Sequence, residues 1–426
     1  MNRRWVAVIA ALLMPSVHII AQSAAAPDPA LSPSSSWLLS GSVRQQYEHF
    51  TNEEWGAAPP DRDGYLLQRY MLQIERRWGT RARAVVEMKS GIELGRAGGP
   101  RVPDEDVFDL HQGYLDLRFG VVRLRVGRQE LQFGSSRLVS VRDLNVRQSF
   151  DAARATMTVG AWRVDAFTSR PVSTRKGPLD DATDRARRLW GVYAVREPRR
   201  SRNAADVYYL GFERDSARFD NAQGHEVRHS VGTRLWGTPS AVDYNIEAVA
   251  QWGSVGTSRI RAWGVASEVG YSLSLPMRPR VGLRADATSG DRDPTDATLG
   301  TFNGLFASAA YFGLIATAGP ANHLDVQPQI GLELRRTVSV NAGWLLFRRR
   351  QVSDGIYTWS GQLLRSAPGT RATFIGHSPS VTVGWVITPH VSLSGDVSAF
   401  TAGPFIRESG GGSTSTFVRT TVAYRF

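Results

Sequence analysis

Apolar and polar residues alternate along most of this chain, in segments of about ten residues. In the last segment, Val418, Thr420, Val422, Tyr424 and Phe426 occupy one set of alternate positions, and arginine, threonine and alanine occupy the other. Successive side chains of a β-strand point to opposite faces, so each segment is expected to be a strand with one apolar and one polar face. The eighteen strands predicted in this way are Trp37–His49, Tyr65–Trp78, Thr80–Ser90, Asp109–Phe119, Val121–Arg128, Phe150–Val159, Ala161–Ser169, Arg187–Arg196, Asp206–Arg214, Glu226–Trp236, Ala241–Trp252, Arg259–Leu273, Arg278–Ala287, Asn322–Arg335, Val338–Arg348, Ser378–Ile387, Val391–Ala399 and Thr416–Phe426.

The connections between these strands are alternately long and short. Gln129–Ser149 and Thr288–Ala321 are long connections, whereas Gly120 alone joins two strands. A β-meander that crosses a membrane has this pattern, because its longer loops lie outside the cell and its short turns lie in the periplasm. Two connections depart from it, since Glu197–Ala205 is long for a turn and Gly253–Ser258 is short for a loop. The predicted fold class is all-β, a transmembrane antiparallel meander β-barrel of about 18 strands.

The N-terminus has the features of a secretory signal peptide. A basic segment, Asn2–Arg4, precedes an apolar stretch and a run of small residues that provides a cleavage site. We assign residues 1–25 to the signal peptide, residues 26–36 to a flexible leader and residues 37–426 to the barrel. Export and a barrel together predict the outer membrane of a Gram-negative bacterium. The C-terminal Phe426 is expected to interact with the barrel assembly machinery.

The composition restricts the available chemistry. The chain has no cysteine, which excludes thiolate catalysis, iron–sulfur clusters and cysteine zinc sites. Its eight histidines are scattered without metal-ligand spacing. We therefore predict that the protein is not an enzyme and holds no metal and no cofactor. The mean hydropathy of −0.25 is that of a soluble protein, but only every second residue of a barrel strand faces lipid.

The charge of the chain is strongly positive and comes almost entirely from arginine. The formal net charge is +12, and only Lys89 and Lys176 are lysines. GC-rich codon usage is one explanation, and the physical one is that guanidinium groups bind carboxylate, phosphate and sulfate bidentately. A pI near 10.4 also suits nucleic-acid binding, but the predicted export and the lack of a basic helix argue against it. Anionic solutes and outer-membrane lipid are the expected partners.

Two stretches resemble the alginate-export family of outer-membrane porins. In the first, Gly127-Arg128-Gln129 ends a strand, and Arg142-Asp143 and Arg147 precede Phe150-Asp151 at the start of the next strand. The second comprises Thr301–Phe306, Tyr311–Gly313 and Ala321–Asn322. The resemblance implies an eighteen-stranded monomeric barrel in which an arginine-rich constriction passes a polyuronate.

Two groups of residues are candidates for the solute path. The constriction candidates, taken from the motif, are Arg128, Arg142, Asp143, Arg147, Asp151 and Arg154. The candidates on the lumen wall, taken from the alternation, are Arg81, Arg83, Arg118, Arg123 and Arg125. Two alternatives stay open at this point. The wall arginines can pair with acidic residues and brace the barrel, and the loop Gln129–Ser149 can be an ordinary extracellular loop rather than an inward one.

The predicted function is an outer-membrane channel for anionic solutes, and its leading form is the export of an acidic, alginate-like polysaccharide through an arginine-rich lumen. Many weak sites in series would allow passage, whereas one tight site would trap the solute. The alternative is a general or small-anion uptake porin. A third possibility is a structural or receptor barrel that its own loops close.

Overall fold

The computed structural model describes residues 36–53, 62–197, 202–315, 318–367 and 369–426. The assigned signal peptide and nearly all of the leader lie outside them. Eighteen antiparallel strands form the barrel wall: β1 (Ser36–Thr51), β2 (Arg62–Trp78), β3 (Ala82–Leu94), β4 (Asp106–Phe119), β5 (Val122–Gln129), β6 (Phe150–Val159), β7 (Trp162–Ser173), β8 (Arg187–Arg196), β9 (Asn203–Arg218), β10 (Gln223–Gly237), β11 (Val242–Val255), β12 (Ser258–Ser272), β13 (Arg280–Thr288), β14 (His323–Arg335), β15 (Val338–Arg349), β16 (Phe374–Val386), β17 (Val391–Ala402) and β18 (Ser415–Arg425).

The barrel closes because the last strand pairs with the first. β18 is antiparallel to β1, with a register that runs from Ser42 opposite Arg425 to Thr51 opposite Thr416. Every other strand pairs with its neighbours in the chain, so the wall is a continuous meander. The predicted all-β barrel and its strand number are confirmed. We call the side of the long connections the loop end and the opposite side the turn end.

The other regular elements are short and lie in the loops at the loop end. Among them are a single-turn helix, α1 (Pro404–Glu408), and a 3-10 turn over Ala309–Phe312. No helix within the described ranges has both the length and the hydropathy needed to cross a membrane. The short strands outside the barrel wall are Ala182–Thr183, Thr298–Leu299, Ile356–Tyr357 and Leu363–Arg365.

One predicted loop is mostly strand. The segment Asp215–His225 was expected to be a long connection, but β9 continues to Arg218 and β10 begins at Gln223. A register shift follows Arg214, as in a β-bulge. The bulge interrupts the strict alternation of side chains, so the end of this hairpin lacks the pattern by which the other strands were predicted.

The two faces of the wall follow the alternation. On β10, Val231 and Leu235 are exposed on the outside, whereas Arg228 and Arg234 are fully buried on the inside. The same contrast recurs around the barrel, with an apolar outer surface and a charged interior. This arrangement is typical of a barrel whose outer face contacts lipid and whose interior is polar.

The largest apolar cluster lies inside the lumen rather than within the wall. Phe133, from the connection after β5, stacks on Phe167 of β7 and Tyr193 of β8, with ring centroids 4.9 and 5.2 Å apart. Phe150 at the start of β6 meets the edge of Phe306, from the connection after β13, at 5.0 Å. These contacts attach two long loops to the β6–β12 side of the barrel. The open space therefore lies along the opposite wall.

Candidate functional site

A cavity of about 2490 Å³ extends through the barrel along the wall that the loops leave free. Arg62 and Arg101 line it at the loop end, and Arg335 and Arg425 line it at the turn end. Seventeen arginines and eight carboxylates line the cavity, and the described residues around it include no lysine. Seven of these arginines pair with acids that do not line the cavity, namely Glu93, Asp116, Asp165, Glu197, Asp243, Glu268 and Asp396. The remaining ten lining arginines still outnumber the eight lining carboxylates, so the path is cationic.

The connection between β5 and β6 folds into the lumen, and Asn145 attaches it to the wall. The Asn145 Nδ2 atom lies 3.1, 3.3 and 2.7 Å from the backbone oxygens of Gln68, Ile92 and Asp104. Its Oδ1 accepts a hydrogen bond from Arg44 Nη2 at 3.3 Å. One buried amide thus joins the loop to β1, β2, β3 and the connection after β3.

The same loop reaches the opposite wall. Ser135 Oγ donates to Glu247 Oε2 of β11 at 2.7 Å, and Arg137 forms an ion pair with Asp286 of β13. The loop therefore crosses the lumen and narrows it, and it is not an ordinary extracellular loop. This decides between the two placements of the segment that the sequence left open.

A guanidinium cluster surrounds the innermost part of this loop, and we define it as Arg44, Arg69 and Arg147. Asp143 Oδ1 accepts from Arg69 Nη1 at 2.6 Å and lies 3.5 Å from Arg147 Nε. Arg147 also pairs with Glu130 at 3.0 Å. The Asp143 side chain keeps 60% of its surface exposed within the cavity. Confinement opposes its ionisation, but Arg69, Arg147 and Arg44 outweigh this effect and hold the pKa of Asp143 well below its usual range.

Four of the six predicted constriction residues line the cavity: Arg142, Asp143, Arg147 and Arg154. Arg142 Nη2 donates to Leu305 O at 2.9 Å, and its guanidinium lies 5.0 Å from the rings of both Phe306 and Trp359. Arg154 is held against the wall by Asp165 at 2.8 Å.

The other two constriction candidates lie apart from the cavity. Arg128 Nε donates to Asp151 Oδ1 at 3.0 Å, and Thr183 Oγ1 donates to Asp151 Oδ2. Neither Arg128 nor Asp151 lines the cavity. Asp151 binds Arg128 and Thr183 rather than Arg142 or Arg147, because its side chain points to the opposite face of β6 from Arg154.

Two of the five predicted wall residues form ion pairs with the same acid. Arg83 and Arg125 share Asp116, at 2.6 and 2.8 Å. Of the five, only Arg125 lines the cavity. Arg81 and Arg118 are exposed at the turn end, and Arg123 is half-buried on the inner face.

The alternation assigned Arg44 and Arg69 to the inner face but did not single them out as a site. Their role depends on a loop that begins 60 residues after Arg69 in the chain, which ends up beside them only in the folded barrel. Asn145 carries no local signal of its anchoring role. The sequence therefore identifies Arg147, which is in the loop, but not Arg44 and Arg69, which are on the wall.

One group of carboxylates in the described part of the chain is compact enough to hold a metal ion, namely Asp106, Asp109 and Asp181. The Lys89 ammonium lies 2.7 Å from Asp106 and 2.8 Å from Asp181. Lys89 therefore supplies the positive charge that these carboxylates require.

A model of the alginate-export family matches residues 37–419 of the chain. The match spans the whole barrel wall except the end of β18. The comparison with curated proteins finds no matching sequence.

Several solved barrels from Pseudomonas aeruginosa share the fold. OccK2 (OpdF), crystallised in complex with glucuronate, has a TM-score of 0.63 at 11% identity, over 93% of this chain and 99% of that chain. OccK8 (OprE) has a TM-score of 0.62 at 12% identity, over 92% and 98% of the two chains. The outer membrane protein opdK has a TM-score of 0.62 at 11% identity, over 91% and 98%. At these identities the likeness is one of architecture.

Proposed function

Because the chain belongs to the alginate-export family of outer-membrane channels, we propose that its solute is an acidic polysaccharide of the polyuronate class. The observation that carries this proposal is the excess of seventeen arginines over eight carboxylates along one cavity that reaches both ends of the barrel. Guanidinium groups bind carboxylates bidentately and stay charged at all physiological pH values. A chain with one carboxylate on each sugar would meet such groups along the whole path.

The arrangement favours passage rather than trapping. The guanidinium cluster of Arg44, Arg69 and Arg147 is partly neutralised by Asp143 and Glu130. Each solute carboxylate would therefore replace a protein carboxylate on the guanidinium cluster. It would not enter a site whose positive charge is uncompensated. Conduction requires binding that is favourable enough for entry and weak enough for exit.

A small-anion uptake porin is the second candidate. The solved structure of OccK2, which shares the fold, holds glucuronate, and glucuronate is a single acidic sugar. The inward loop after β5 also narrows the lumen. Both candidates use the same cationic path and differ in whether the solute is a polymer or a monomer.

Conductance in planar bilayers distinguishes the two candidates. In a salt gradient, the reversal potential should indicate preference for chloride over potassium. Alginate oligomers should block the current at concentrations roughly a hundredfold below those of monomeric glucuronate, because linked carboxylates bind multivalently. Neutral dextran of equal length is the control and should block weakly. Equal block by monomer and oligomer would support the uptake porin, and a cation-selective pore would contradict both candidates.

Acidification should strengthen the block. Asp104 lines the cavity near the loop end, 3.4 Å from Arg101. Burial raises the pKa of Asp104 to about 6, against the opposing effect of Arg101. As the pH falls through this value, Asp104 takes up a proton and the loop end of the cavity loses one negative charge. The affinity of the cavity for oligomers should therefore rise. Asp143 stays ionised, since its pKa lies far lower. Titration of oligomer block between about pH 7.5 and 5 tests this, and Asp104→Asn should give the acidic value throughout.

We also propose that the channel acts as a monomer and that the barrel assembly machinery recognises its last strand. Phe426 extends β18 beyond Arg425, and its backbone N–H and C=O pair with Gly41 at 3.1 and 3.0 Å. Its ring stacks on Tyr424 with centroids 5.9 Å apart. The terminal residue is thus part of the closing seam between β18 and β1.

A further inference from the structure

The outer surface of the barrel carries a group of arginines at the loop end of β12 and β15. We define the outer arginine patch as Arg259, Arg261, Arg348 and Arg350. On β12, Arg259 and Arg261 are exposed and alternate with residues that are buried on the inside. Arg348 is exposed on β15, and Arg350 follows the last residue of that strand. All four are therefore outward-facing positions.

A cation–π contact brings the two halves of this patch together. The Arg350 guanidinium lies 4.6 Å from the ring of Trp263, which is on β12, two residues after Arg261. In the wall, β13 and β14 lie between β12 and β15. The Arg350 side chain therefore reaches β12 by passing over the loop-end termini of β13 and β14. Arg348 lies over Phe374 of β16 at 5.6 Å. Arg348 and Arg350 thus each place a guanidinium group against an aromatic ring.

The patch lies at the edge of the apolar outer surface. Below it, Val265 and Val269 are exposed on β12, and Trp344 and Leu346 are exposed on β15. Lipid acyl chains cover such residues, so the patch begins where the hydrocarbon ends. A charged side chain on the lipid face costs about 2–4 kcal/mol at the midplane and about 0–1 kcal/mol near the interface. The arginines are therefore placed at the level of the lipid headgroups.

The guanidinium groups of the patch lack ion-pair partners within the described ranges. Among the residues that the structure describes, no carboxylate forms an ion pair with any of its four guanidinium groups. Asp293 and Asp296 lie in the connection whose Thr298 pairs with Arg259. Asp293 accepts from Thr295 N at 2.9 Å, and Asp296 accepts from Thr298 N at 2.6 Å.

We propose that the outer arginine patch binds the phosphate groups of a phosphorylated glycolipid in the outer leaflet of the membrane. Arginine binds phosphate bidentately, and tryptophan is enriched at the membrane interface, where its apolar body and polar N–H both find partners. A lipid phosphate at this level would contact the guanidinium groups while its acyl chains cover Val265 and Leu346 below. A free phosphate ion has the same charge but lacks the second contact.

Lipid A binding to the purified full-length protein in detergent tests the proposal, with native mass spectrometry as the readout. The variant Arg261→Ala/Arg350→Ala should bind diphosphoryl lipid A roughly tenfold more weakly or worse, since it loses two charge-assisted hydrogen-bonding groups. Arg76→Ala is the matched control. Arg76 is at the turn end, where its guanidinium lies 4.9 Å from Trp37 and 5.8 Å from Trp78, so it has the same chemistry at the opposite rim. Its lipid A affinity should equal that of the unchanged protein.

Further measurements separate lipid from free anion and from a folding defect. Monophosphoryl lipid A should bind more weakly than the diphosphoryl form, and millimolar inorganic phosphate should not displace either. Heat-modifiable migration on gels checks folding, and Arg259→Ala/Arg348→Ala provides a second variant with the same expected loss. Polyuronate block should stay unchanged in both double variants, because the patch is outside the lumen. Undiminished lipid A binding by both folded variants, or displacement by inorganic phosphate, would overturn the proposal.

Discussion

The substitution Asn145→Ala is expected to release the inward loop and to add a larger conductance level to the channel. Asn145 is buried and joins the loop to backbone carbonyls of β2, β3 and the connection after β3. Leaving buried polar groups unsatisfied costs about 1–3 kcal/mol, which raises the population of the released loop by roughly five- to 150-fold. The loop would stay attached at Ser135 and Phe133. Single-channel recordings should therefore show frequent transitions between the original level and a higher one.

Asn341→Ala is the matched control for this experiment. Asn341 is an asparagine of β15 that also lines the cavity, but it is on the wall and does not anchor the loop. The control should keep a single stable conductance level. If Asn145→Ala behaves like Asn341→Ala, the loop is held by its other contacts and Asn145 does not control the width of the pore.

Opposite changes in polyanion block are expected when the charges of the loop are removed one at a time. Arg147→Ala removes a member of the guanidinium cluster and should weaken the block by alginate oligomers, by roughly tenfold if one charge-assisted contact of about 1.5 kcal/mol is lost. Arg142→Ala should act in the same direction, because Arg142 lines the cavity without an acidic partner among the described residues. Asp143→Asn should strengthen the block, because it removes the carboxylate that competes with the solute for Arg69 and Arg147.

Oligomer block in planar bilayers measures these effects, with Arg118→Ala as the control. Arg118 is exposed at the turn end and does not line the cavity, so its removal should leave the block unchanged. Heat stability in detergent should also be nearly the same for all four variants, since the loop charges are separate from the strand pairing. Weaker block in Asp143→Asn would mean that Asp143 binds or positions the solute rather than competing with it.

The inward loops determine which part of the lumen a solute can use. Phe133 and Phe306 pack against the β6–β12 side, while the arginines that line the remaining cavity come from β1, β2, β5–β7, β13, β14, β18 and the connections. Most other inward arginines are held in ion pairs, as Arg228 is by Glu226 at 2.6 Å. Many wall charges thus satisfy one another, and the inward loop adds Arg142 and Arg147 to the lining of the cavity.

The candidate site was predictable only in part, and Asp151 illustrates the reason. The motif brought Arg142, Asp143, Arg147 and Asp151 together because they are close in sequence. In the barrel, Asp151 belongs to a strand, where its side chain points away from Arg154 and binds Arg128. The loop residues point into the lumen instead. Residues that are close in sequence can have side chains that point in different directions when a loop ends and a strand begins between them.

The sequence by itself determined the strands, their number and the face on which each side chain lies. These properties are local, because alternation with a period of two assigns every residue to lipid or lumen as soon as its strand is recognised. The tertiary structure alone decided that the loop after β5 folds inward and that Asn145 meets the oxygen of Gln68, 77 residues earlier in the chain. Such contacts join residues that only barrel closure brings together, so no local pattern records them. The cationic path could be predicted from the strands, but the contacts of the loop that crosses it depend on packing between distant segments.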